Sequence, residues 1–208
     1  MPSNPKPVRL TERDMAIADW LATLTFAEAD QVARRFTMSR TRAYARLGAL
    51  RLAGLVTMHR IFYGRPAVFQ AGNRRIRPGL YEHELALARL AAEMQAEGHD
   101  LYTDRQLQDP EVRERLELGQ LRRLPDAAIR SDAGLVAVEV ELSSKGGRRR
   151  REILSAYALS PFARVIWLVR DNQLGDLISR DAAALGLEGR AAVARLEDMI
   201  SPATGRLF

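Results

Sequence analysis

The sequence predicts an α+β protein of two domains, and three observations carry that prediction. Residues 1–72 hold three helical periods followed by two strand-like runs. The charge is shared unequally: residues 1–78 carry 14 Lys and Arg against 5 Asp and Glu, a net +9, while the remainder carries −3 within a total of +6. From residue 80 onward, helical and strand patterns alternate, as they do in layered α/β domains. A length of 208 residues with a 47% hydrophobic fraction is enough for two packed cores. The boundaries fall at 1–72 for the basic domain, 73–79 for a basic linker and 80–208 for the second domain.

Composition removes several classes of function. Without any Cys there are no disulfides, thiolate metal sites or thiol nucleophile, and the three His (His59, His83, His99) are scattered. No apolar run approaches the roughly 18 to 20 residues of a membrane span, and the start Met1-Pro2-Ser3-Asn4-Pro5-Lys6-Pro7 lacks the apolar core of a signal peptide. A cytoplasmic protein with no membrane partner is expected.

The elements follow in order. Thr11 is a good N-cap with Asp14 three residues on, and Met15, Ile17, Ala18, Leu21 and Leu24 set a helix over about 12–23. A second helix is predicted from Phe26 to Arg35. Ser39 caps a third, whose apolar set is Ala43, Leu47, Leu50, Leu52 and Leu55. Beyond Gly54, residues 55–61 and 66–70 read as two strands joined through Phe62-Tyr63-Gly64-Arg65. Arg40, Arg42 and Arg46 lie in the first turns of the third helix, where a recognition helix presents side chains to the major groove.

Three short helices and a hairpin, with the turn Leu50-x-x-x-Gly54-Leu55-Val56 between them, resemble a winged helix-turn-helix over roughly residues 10–72. The resemblance implies double-stranded DNA as partner, with His59, Arg60 and Arg65 on the wing against backbone or minor groove. Arg74, Arg75 and Arg77 of the linker would track a phosphate strand. The competing interpretation is a basic solvated surface on a helical protein-interaction module.

In the second domain, Leu80 to Glu97 is a strongly patterned helix stopped by Gly98. Asp100 to Thr103 is a short strand, and the Arg- and Glu-rich stretch up to Arg123 reads as a solvated helix or an excursion packed over a hairpin. That hairpin spans Leu124 to Arg130 and Leu135 to Leu142, turning at Ser131-Asp132-Ala133-Gly134. After Gly146-Gly147 and Arg148 to Arg151 a helix runs to about Pro161, and those four Arg are candidates for DNA phosphates. Ala163 to Val169 is a continuous apolar run, the mark of a buried central strand. A helix over about 173–185 and a strand at 191–196 complete the order.

The hairpin carries acids. Alternation puts Val136, Val138, Val140 and Leu142 on one face and Glu139 and Glu141 side by side on the other, with Asp126 on the partner strand. Mg²⁺ takes oxygen ligands and keeps several waters, so a few carboxylates on a bent strand pair form a sufficient site on a DNA phosphate. Pro125-Asp126, a short hairpin and Glu139-x-Glu141 resemble the PD-(D/E)xK nucleases. That resemblance implies a restriction-endonuclease-like α/β core. Asp126, Glu139 and Glu141 would hold Mg²⁺ or Mn²⁺, and Lys145 would assist the attacking water. Glu84, and less so Glu82, is the candidate acid from the preceding helix. The usual Lys position holds Glu141, which leaves three options: Lys145 swings back, Glu141 is a third ligand, or catalysis is lost and no cofactor is needed. The bland interpretation is a half-exposed strand whose wet face carries Glu139 and Glu141.

A winged helix entered by Thr11-x-Arg13-Asp14, a His83-Glu84-Leu85-Ala86 helix, a Pro-Asp hairpin and the strand Val138 to Lys145 together resemble the replication-relaxation family of plasmids, phages and integrative elements. The resemblance implies a DNA-binding protein of plasmid replication, relaxation or mobilisation, nucleoid or plasmid associated. Its partners would be replication or mobilisation proteins, with room for a homodimer. The alternatives are an active metal-dependent endonuclease or nickase, and a transcriptional regulator.

Overall fold

The computed structural model describes residues 9–72, 75–121, 123–144 and 146–199. Arg74 and Lys145, two of the candidates above, lie outside them. The chain is a mixed structure of helices and two sheets, and it divides into two compact units at Ala88 and Arg89. Among the described residues no helix is long and apolar enough to cross a membrane.

The first unit opens with α1 (Glu12–Ala22). Its start is fixed as expected: Thr11 Oγ1 accepts from the Asp14 amide at 3.3 Å, and Asp14 Oδ2 accepts from the Thr11 amide at 2.7 Å. The buried stripe is Asp14, Ile17, Ala18, Trp20 and Leu21, which leaves Met15, predicted to be inside, 42% exposed. Then come β1 (Ala27–Glu28) and α2 (Ala29–Arg35). The second helix begins three residues later than its periodicity predicts, because Ala27 and Glu28 pair with Phe69 and Val68. A sheet partner distant in sequence outweighs local propensity there.

Ser39 caps α3 (Arg40–Leu52) by accepting from the Arg42 amide at 3.3 Å. Ala43, Leu47 and Leu50 form its buried stripe. Leu52 does not belong to it and is 74% exposed, since two residues beyond Leu50 a helix has turned its side chain to the far face. The helix ends at Gly54, whose φ of +74° reverses the chain at little steric cost. The hairpin of β2 (Val56–His59) and β3 (Val68–Ala71) follows, antiparallel with Met58 opposite Phe69, in the strand order β1-β3-β2. After a 3-10 turn at Pro78–Leu80, α4 (Tyr81–Ala96) begins. Tyr81 and Leu85 pack with Phe26 and Val68, so the helix assigned to the second domain by the sequence starts in the core of the first unit.

The second unit is built on a five-stranded sheet in the order β4-β5-β6-β7-β8. Its strands are β4 (Leu101–Thr103), β5 (Ala127–Ser131), β6 (Gly134–Glu141), β7 (Arg164–Val169) and β8 (Ala191–Arg195). The first three are antiparallel neighbours, and β6, β7 and β8 run parallel. The hairpin closes with Ser131 opposite Gly134, as the turn residues predict. Between β4 and β5 lie two short helices, α5 (Asp104–Leu107) and α6 (Pro110–Arg115), rather than one solvated helix. Leu107, Leu116 and Leu118 anchor this excursion in the core. On that face α7 (Gly147–Ala158) and α8 (Asn172–Ala183) contribute Ile153, Leu154, Tyr157, Leu174 and Ile178, against Ala137, Val165 and Trp167 of the sheet. The other face carries Val136, Val138, Val140, Ile166 and Leu168, and these are buried too. The short α9 (Leu196–Met199) ends the described chain.

Candidate nucleic-acid surface and buried acidic pair

In the first unit, α3 turns Arg40, Thr41, Arg42, Tyr44 and Ala45 to solvent while Ala43 and Leu47 hold it down. Helical spacing produces this two-sided character: polar and small residues fill the face left over by the apolar stripe. The three arginines predicted to read DNA have different surroundings. Arg42 is exposed and pairs with no acid among the described residues. Arg40 lies 3.0 Å from Asp30 and over the Tyr44 ring, both ends of the ion pair being open to water. Arg46 is drawn inward: its Nε donates to Asp14 Oδ1 at 2.5 Å, and its Nη2 donates to Asp14 Oδ2 and to Thr11 Oγ1. Asp14 is fully buried. Burial pushes its carboxyl up, but the hydrogen bonds from Arg46 and Thr11 outweigh that and hold it below the usual carboxylate range. Arg46 therefore ties α3 to the start of α1, a structural duty that its place in the sequence did not reveal.

The hairpin presents Arg60 and Arg65 as exposed side chains, and Tyr63 stands wholly exposed in the turn between them. Arg65 reaches Glu82 at 3.0 Å, an exposed pair of small energetic weight. His59 is half-buried on β2, its Nε2 sharing a hydrogen bond with Thr57 Oγ1 at 2.9 Å. Arg75 and Arg77 are exposed. Glu84 is half-buried in this same unit, and Glu82 belongs to the pair with Arg65.

The second unit holds the acids, and here the wet strand face is corrected. Glu139 is 1% exposed and Glu141 3%. They share a face as alternation requires, but that face lies under α7, because β6 is the middle of five strands and is covered on both sides. Glu139 accepts from Arg123 through two parallel bonds, Nε to Oε1 at 3.1 Å and Nη2 to Oε2 at 2.9 Å. Tyr157 donates its hydroxyl to the same Oε1. Asp126, just ahead of β5, accepts from the Val140 amide at 2.8 Å and is near enough for its charge to act on Glu139.

Burial and the Asp126 charge push the Glu139 carboxyl up, and Arg123 and Tyr157 pull it only part of the way back. The guanidinium of Arg123 is held more firmly protonated by its bonds to Glu139, and burial together with Glu139 raises the Tyr157 hydroxyl. Among the described residues no group of three His, Asp or Glu side chains converges where a metal ion could sit. Asp126 and Glu139 are brought together, whereas Glu141 does not complete a three-ligand set. Both oxygens of Glu139 are engaged by Arg123 and Tyr157, so the residues as folded do not fit a divalent ion.

No family model and no curated protein matches this chain. The interpretation of the site therefore rests on its chemistry.

Arg123 and Tyr157 were not singled out in the sequence, although a signal was present. A strand reading Val-Ala-Val-Glu-Val-Glu beside the apolar run Val-Ile-Trp-Leu-Val is covered on both faces, so its acids need partners. Arg123, just upstream of the Pro-Asp, is one described cation able to provide that partner. The arginine run of α7 holds a similar surprise. Arg150 is turned inward onto Asp181 of α8, with Nε to Oδ2 at 2.8 Å, and Arg151 reaches the same carboxylate at 3.2 Å. Arg148 and Arg149 pair with exposed Glu152.

Proposed function

We propose that this chain is a double-stranded DNA-binding protein in which a winged helix-turn-helix, built from the three helices and hairpin of the first unit, places the molecule on DNA. The second unit would serve as a nuclease-like scaffold. The observation that carries this reading is the exposed face of α3, Arg40, Thr41, Arg42, Tyr44 and Ala45, in a unit whose hairpin also exposes Arg60 and Arg65. Arginines on a narrow helix face with small residues between them suit a major groove, and hairpin arginines suit the flanking phosphates. The order of motifs along the chain supports placing it among proteins of plasmid or phage replication and mobilisation, where it would meet the other proteins of that process.

A second reading, a Mg²⁺- or Mn²⁺-dependent endonuclease or nickase, has one observation in its favour, the adjacency of Asp126 and Glu139 at the hairpin. The pairing of Glu139 with Arg123 counts against it. Two measurements decide between the readings. Fluorescence anisotropy with labelled duplex DNA should show binding that Arg42→Ala weakens by about 1–3 kcal/mol; wild-type affinity retained by both that variant and Arg60→Ala would overturn the DNA-reading surface. Supercoiled plasmid incubated with protein and either metal should stay intact. Nicking that Asp126→Ala and Glu139→Ala abolish would instead establish the enzyme.

A further inference from the structure

Arg123 has a second side. Its Nε and one N–H of Nη2 are spent on Glu139, and of the five donors of a guanidinium three remain, on the edge turned away from the carboxylate. Its side chain is 30% exposed, and Arg123 lines two adjoining cavities of about 270 and 400 Å³ in the second unit. Both are lined by Arg123, Ala156 and Leu159. The first adds Gln120, Leu121 and Pro161, and the second adds Arg149 and Glu152. The larger falls at the lower end of the range of small-ligand sites, about 300–1,000 Å³, and the smaller lies just under it.

The charges around this groove favour an anion. Glu152, the acid of the rim, already receives Arg148 Nε at 3.0 Å and Arg149 Nη1 at 3.2 Å, so these two arginines exceed their one acid by a single positive charge. The Arg123 charge is matched from behind by Glu139, yet its outward N–H groups still need an acceptor, and a planar fork suits two oxygens of one phosphate. Beside it the wall is apolar and open: Leu159 is 79% exposed, with Leu121, Ala156 and Pro161 around it. A ligand with a phosphate at one end and a flat, weakly polar body at the other matches both halves.

We propose that the groove between Arg123, Arg149 and Leu159 binds a nucleotide, its phosphate on the two arginines and its base or sugar on the apolar wall. The natural source is a free mononucleotide or the end of a nucleic-acid strand. The second source rests on the reading of the protein as a DNA binder. Because Arg123 holds Glu139 with one edge and the phosphate with the other, the site joins a strand phosphate to the buried acids without opening the core.

The full chain titrated with thymidine 5′-monophosphate in a calorimeter should show saturable binding, while thymidine, lacking the phosphate, should show none. Arg149→Glu, on the surface, should weaken it at least about tenfold. Arg123→Lys, which keeps a cation for Glu139 but loses the outward fork, should weaken it similarly. Absence of binding, or binding that neither variant changes, overturns the site, and Arg149→Glu alone suffices if the other variant does not fold. A single-stranded oligonucleotide with a 5′-phosphate that binds tighter than the mononucleotide assigns the site to strand ends; equal affinity assigns it to the free nucleotide. Arg42→Ala should leave nucleotide binding intact; wild-type protein that binds the nucleotide but not duplex DNA counts against the DNA-reading surface alone, and wild-type protein that binds duplex DNA but not the nucleotide counts against the groove alone.

Discussion

Arg42 and Arg46 stand one helical turn apart on α3, and the difference between them is set by Asp14. A fully buried carboxylate needs a counter-charge, so Arg46→Ala leaves Asp14 without its cation and should cost about 2–3 kcal/mol in urea denaturation, while exposed Arg42→Ala should stay within about 0.5 kcal/mol. Equal stability of the two variants would show that the Arg46 bridge carries no weight. The Asp14 carboxyl, held below its ordinary value, contributes stability that is complete above about pH 3.9, the unfolded-chain value, and is lost as pH falls through the lower folded value. Glu139 has the opposite sign. Its folded value is raised, so between the unfolded value of about 4.3 and that higher value the native state binds the extra proton, and stability declines as pH rises. Arg123→Met removes the cation that offsets this. The variant should lose about 3–5 kcal/mol at neutral pH and recover part of it at pH 5, measured by denaturation at both; a deficit independent of pH would mean that Glu139 is not the group left unpaired.

At the scale of elements, two helix glycines look alike in sequence and differ in their surroundings. Gly48 of α3 has open space where a Cβ would sit, so Gly48→Ala should raise stability by about 0.5–1 kcal/mol through helix propensity. At Gly175 of α8 the same Cβ would meet a Val193 methyl at 3.0 Å and a Val169 methyl at 3.5 Å. Gly175→Ala should therefore gain nothing or lose stability, as α8 is pushed off β7 and β8; thermal melts that rank it above Gly48→Ala would refute the close approach. The same contrast between local and distant causes explains what the sequence disclosed. The Thr11 and Asp14 capping box, the Ser39 cap, the Ser131 to Gly134 turn and the apolar strand at 164–169 are each decided within a few residues, and each is legible. The late start of α2, the burial of Glu139 and Glu141, and the inward turn of Arg46 and Arg150 depend on partners 16 to 42 residues away. Alternation correctly placed Glu139 and Glu141 on one face, but period 2 alone does not say whether that face is wet.

Across the whole molecule the charge is divided, with +9 over residues 1–78 against −3 over the rest. If duplex DNA is held by the first unit, its affinity is largely counterion release, and the slope of log K against log salt counts the phosphates neutralised, at about 0.9 per contact. Arg60→Ala and Arg65→Ala, at exposed hairpin positions, should each lower that slope by about one while leaving sequence preference nearly unchanged. Arg42→Ala should weaken binding to a preferred sequence more than to random duplex, since a base-edge contact carries discrimination and a phosphate contact does not. Arg149→Glu alters charge in the second unit and should leave the slope unaltered. Should the slope respond to Arg149→Glu and ignore the hairpin arginines, duplex DNA would be held by the α7 face, and the basic N-terminal unit would need another partner for its surface.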